Sequence, residues 1–123
     1  MIGLEKLEVY NISMSISEKI WRITIEWNYF AKDTIGKQIV RAADSISANI
    51  SEGYGRYHFK DSKNFMIIAR GSLFETITWL QKAKTRNLIS EENYSDLERE
   101  CIRLTVKLNN FIKAIGHTNN TTL

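Results

Sequence analysis

Glu52 and Glu75 are the residues of this chain that most invite a chemical reading. Two carboxylates on neighbouring helices can share acid–base work or hold a metal. A metal site would need about four ligand-type residues, however, and none accompanies them. The two histidines, His58 and His117, fall in a connection and near the C-terminus, without a second ligand at helical spacing. A polar network inside the fold accounts for these residues better. Ser45, Asn49 and Glu52 share one side of a helix, and Ser72 and Glu75 sit at matching depth on the next one. Glu52 falls near a helix C-terminus, where the dipole disfavours a carboxylate, so Arg56 or Arg70 is expected to offset it. Internal polar groups of this kind set the register between helices.

Two other candidates dissolve on the same reasoning. Gly53-Tyr54-Gly55 has the look of a phosphate loop, but such loops open a helix and these glycines close one. A helix stop, with glycine in the left-handed conformation, is the expected role. Cys101, the single cysteine, occupies a core position in a helix, which suits a small buried hydrophobe and not a reactive thiolate. No catalytic residue, metal or cofactor is expected.

The elements that must position these residues are helices. The chain has 123 residues, 43% of them hydrophobic and 25% charged, which places it among single folded domains. Proline is absent and glycine numbers only six, as helix interiors prefer. One cysteine rules out an internal disulfide framework. Glu5, Lys6 and Glu8 interrupt the N-terminus, so no signal peptide is expected, and no apolar run approaches a membrane span. A cytoplasmic address without a membrane partner is the expectation.

Apolar residues recur at steps of three and four in four segments, and no alternating pattern intervenes. Val9, Ile12, Ile16, Ile20, Ile23, Trp27 and Phe30 mark a helix over 4–30. A weaker stripe, Leu7, Tyr10, Met14, Trp21 and Ile25, either widens the core face or prepares a subunit contact. Ile35, Ile39, Ala42, Ile46 and Ile50 mark a helix over 34–53, capped by Asp33 or Thr34. Phe65, Ala69, Ser72, Thr76, Leu80 and Ala83 mark a third over 61–87, capped by Asp61 or Ser62 and closed by Asn87. Gly71 within it suggests a close backbone approach. Tyr94, Leu97, Cys101, Leu104, Leu108, Phe111 and Ile115 mark a fourth over 90–115, opened by Ser90 and stopped by Gly116. Short connections force antiparallel neighbours, so the expected fold is an all-α, up-and-down four-helix bundle over 1–116 with a disordered tail over 117–123.

The segment Ser45-Ile46-x-Ala48-Asn49-Ile50-x-Glu52-Gly53-Tyr54-Gly55-Arg56, followed by Phe65 and Ile68-Ala69-Arg70-Gly71-Ser72-Leu73-x-Glu75, resembles the signature of the 23S rRNA intervening-sequence proteins. Gln38-Ile39-x-Arg41-Ala42-Ala43 and Leu88-Ile89-Ser90 extend the likeness, which runs from about Leu4 to Ile115. The family's frequent Phe-Pro before the second helix is missing, and Ser51 stands where alanine is usual. The resemblance implies a four-helix bundle without assigned catalysis. A related branch, the accessory variability proteins of diversity-generating retroelements, implies a basic homopentamer that binds nucleic acid and a reverse transcriptase.

The net charge is +3, with eight Lys/Arg against seven Asp/Glu in residues 1–60 and nine against seven in 61–123. So diffuse an excess becomes a patch only by folding or assembly. Lys37, Arg41, Arg56, Lys60, Lys63 and Arg70, around the second helix and its connection, are the expected phosphate contacts for RNA or DNA. Trp21, Trp27 and Trp79 are the expected oligomer interface. The competing expectation is a scaffold that docks a protein partner on that tryptophan surface and binds no nucleic acid.

Overall fold

The computed structural model describes the backbone of residues 3–122 and the side chains of residues 3–115. A 3-10 turn, Leu4–Lys6, leads into α1, Glu8–Thr24. The second helix, α2, is built of three consecutive segments, a turn Tyr29–Ala31, a π-type turn Lys32–Gly36 and the long Lys37–Tyr54. Then follow α3, Phe59–Thr85, and α4, Glu91–Thr122. Among the described residues there is no strand. The expected all-α four-helix bundle is the observed fold. The backbone of α4 continues helical through Gly116 to Thr122, so the expected stop at Gly116 does not occur, and the side chains of the expected tail over 117–123 lie outside the described residues.

Local chemistry moves several boundaries. Leu7 is extended, with φ −83° and ψ 113°, so α1 starts four residues later than the stripe suggested. It also ends early, because Trp27 turns inward and its indole donates to the Leu88 carbonyl at 2.7 Å. Asn28, not Asp33 or Thr34, caps α2, its Oδ1 accepting from the Ala31 amide at 3.0 Å. Asp33 instead pairs with Lys37 at 2.7 Å. Neither Asp61 nor Ser62 caps α3, which begins directly after an extended His58.

The stops divide likewise. Asn87 closes α3 as expected, with φ 58°. The Leu88 amide reaches back to the Ala83 carbonyl at 2.9 Å and the Asn87 amide to Lys84 at 3.0 Å, a Schellman ending. Ser90 opens α4, its Oγ accepting from the Asn93 amide at 3.1 Å. The left-handed glycine expected after α2 does not occur, since Gly55 has φ −82° and ψ −2°. The glycine that matters there is Gly53. A Cβ on it would stand 3.0 Å from both Phe65 Cβ and the Ser62 carbonyl, so its absence lets α3 close against α2.

The four helices form a ring in which α2 touches α1 and α3, and α4 touches α3 and α1. Ion pairs between Lys19 and Asp96 and between Glu8 and Lys107, both at 2.9 Å, fix α1 antiparallel to α4. Ile16 and Ile20 of α1, Ile46 and Ile50 of α2, Met66 and Leu73 of α3, and Leu104 and Leu108 of α4 fill the shared core. Burying each such side chain contributes about 1.5–3 kcal/mol, which is why the three-and-four spacing decides the fold.

Candidate nucleic-acid interface

The polar residues between α2 and α3 split into three groups. Ser72 Oγ donates to Ser45 Oγ at 3.1 Å, and Asn49 Nδ2 donates to the Ser45 carbonyl at 2.8 Å and to Ser45 Oγ at 3.0 Å. This trio crosses the helix pair and sets its register. Glu52 stands apart, pairing with Arg56 at 2.9 Å on the exposed side of α2. Glu75 is also exposed and accepts from Trp79 Nε1 at 3.3 Å. The two carboxylates therefore do not meet. Among the described residues no three His, Cys, Asp or Glu side chains gather to hold a metal. Burial pushes the Cys101 thiol up to about 12, so it stays protonated.

The six cations fall on two surfaces. Lys37 and Arg41 stand on the outward stripe of α2, and Arg56 follows its last turn. Arg70 turns toward α4, where its guanidinium donates to Asn109 Oδ1 at 2.9 Å. Lys63, seven residues earlier, shares that side of α3. At 1.5 Å per residue, Lys37 lies about 25 Å from the α2–α3 connection, so the six are strung along both surfaces in a loose band and do not form one cluster.

Their charges are not equally free. The hydrogen bond that Lys37 donates to Asp33 holds its ammonium above its ordinary range, and Arg56 is committed to Glu52. The Arg56 guanidinium also lies 4.6 Å above the Phe65 ring, which fixes its place. Arg41, Lys60 and Lys63 have no acidic partner among the described residues. Beside the band, burial and then the nearby Glu18 raise the Asp44 carboxyl, so an acidic pair borders it on the α1 side.

The tryptophans do not make one surface. Trp21 is 51% exposed on α1, whereas Trp27 is only 9% exposed and belongs to the core. Trp27 is thus removed from the expected interface by its bond to Leu88. Trp79 is half-buried on α3. The apolar surface that stands open includes two groups on the helix faces. Met14, Trp21 and Ile25 stand open on α1 and just past its end, and Ile67 and Phe74 of α3 and Ile102 and Val106 of α4 stand open on theirs. The second face had a signal in the sequence. Ile67 and Phe74 are seven apart and Ile102 and Val106 four apart, each pair off the core stripe of its helix.

A model of the 23S rRNA-intervening sequence proteins matches residues 5–110. The chain belongs to this family. A solved structure from Bacteroides thetaiotaomicron, described as a protein with unknown function from the S23 ribosomal protein family, is similar in the same way. It shares 25% identity and a TM-score of 0.76, over 85% of this chain and 98% of that one. No curated protein matches the sequence. Within the family frame, the motif around Ser45, Asn49, Gly53 and Ser72 is the part of the chain that closes α2 against α3.

Proposed function

We propose that the protein is a non-enzymatic homo-oligomer, a ring of five, that binds nucleic acid, RNA first, through the band of Arg41, Lys60 and Lys63. The observation that supports this most is that these three cations, on α2 and at the start of α3, are exposed or half-exposed without acidic partners among the described residues. Family membership adds an association with ribosomal RNA genes. One copy at +3 attracts a polyanion weakly, while five would carry a formal charge of about +15 and join the bands into a belt.

A gel-shift titration across salt concentrations tests the reading. Binding should fall steeply with added salt, as counterion release requires, with little preference among sequences. The double variant Arg41→Glu/Lys63→Glu should weaken every sequence alike. A wild type that shifts no nucleic acid at low salt would overturn the reading. It would favour a scaffold docking a protein, for which the exposed apolar faces speak.

A further inference from the structure

Where α2 hands over to α3, ring side chains crowd a short connection. Tyr57 is 91% exposed, and Tyr54 and Phe59 on either side of it are each nearly half exposed. Large rings held in water forgo the burial that a fold ordinarily supplies. These three do not shield one another in a packed cluster. Tyr57 meets the ring of His58 edge-on, at 88° and 5.1 Å between centroids, and its broad ring surface stays open. Cations alternate with the rings along the chain. Arg56 is pinned between Glu52 and the Phe65 ring, and Lys60 and Lys63 stand free of acidic partners among the described residues. Asp61 is the one carboxylate within 54–63.

We propose that this tip is a stacking platform for a single-stranded nucleic acid. Tyr57 and Phe59 take unpaired bases on their faces, and Lys60 and Lys63 take the adjoining phosphates. This rests on the nucleic-acid reading above and adds the state of the strand. A duplex covers its base faces by internal stacking and offers a protein only groove edges and phosphates. Exposed rings interleaved with cations match the chemistry of a strand whose bases are free. A protein partner would instead call for a contiguous apolar patch with charge at its rim. Here Gly55-Arg56 and His58 separate the rings and Lys60-Asp61 follow them, and other open apolar side chains lie elsewhere on the bundle.

Fluorescence anisotropy at low salt, with a short unstructured labelled RNA and the duplex of the same sequence, tests the proposal. Wild type is compared with Tyr57→Ala/Phe59→Ala and with Tyr57→Phe/Phe59→Tyr. The alanine pair should lower single-strand affinity roughly tenfold or more while leaving duplex affinity unchanged. The aromatic exchange should retain wild-type affinity for both. An unchanged thermal melt for each variant shows that the fold is kept. Equal losses on single strand and duplex, or no loss on either, would overturn the stacking platform while leaving phosphate binding in place. A wild type that binds neither probe overturns both readings together.

Discussion

Thr24 shows how one atom can work against a well-filled core. It is buried at the end of α1, and its Oγ1 has no hydrogen-bond partner within the chain. Ile20, Ile23, Trp27, Ile39 and Leu80 surround it, and none can supply one from its side chain there. A buried hydroxyl left unpaired costs about 1–3 kcal/mol, so the isosteric Thr24→Val should stabilise the protein by about 1 kcal/mol. Urea denaturation with an unchanged slope would measure it, and a loss of stability would mean that the hydroxyl is satisfied after all. Nothing in the spacing of the sequence distinguishes Thr24 from a surface threonine. The same holds for charge and for tryptophan. Residue type identified Lys37 as a cation, but not that Asp33 engages it, whereas the position of Glu52 at a helix end did point to its pairing with Arg56. It grouped Trp21 with Trp27, although a single bond to Leu88 sends the second into the core.

The helices themselves were legible, because burial of a periodic stripe outweighs every local preference. Their ends were less so, because several alternative caps differ by only about 1 kcal/mol and tertiary contacts choose among them. The glycines of α2 and α3 show the contrast most sharply. Gly71 suggested a close approach, yet a Cβ there would meet nothing within 4 Å. Gly71→Ala should therefore stabilise α3 by about 1 kcal/mol, the ordinary gain in an exposed helix interior. Gly53→Ala has the same helical gain, but its Cβ would press on the Ser62 carbonyl, Phe65 Cβ and Met66 Cε at 3.0–3.1 Å. Two of these are backbone or near-backbone atoms that cannot turn aside. The helices must move apart, and the net effect should be a loss of about 1–3 kcal/mol. Thermal melts of the two variants should shift in opposite directions. A rise for both would mean that α2 and α3 pack less tightly than this geometry requires.

At the scale of the whole molecule, the two open apolar faces differ in composition and lie on different parts of the helix ring. One is centred on Trp21 of α1, the other on Phe74 of α3 and Ile102 and Val106 of α4. A two-fold contact joins a surface to itself, whereas a ring joins one surface to a different one on the neighbour. Two unlike faces on one protomer therefore suit the head-to-tail contact of the proposed assembly. Trp21→Glu and Phe74→Glu each place a charge on one exposed face, so each should leave the fold intact and break the ring. The decisive experiment is to mix them. The Trp21→Glu chain retains its α3–α4 face and the Phe74→Glu chain its α1 face, so one good contact can re-form between them. Light scattering should find each variant monomeric alone and a one-to-one pair in the mixture. A self-complementary contact predicts otherwise: substitution on one face would leave the assembly whole, and mixing would restore nothing. A wild type that is monomeric at micromolar concentration would end the ring altogether, and with it the summed charge on which the belt of phosphate contacts depends.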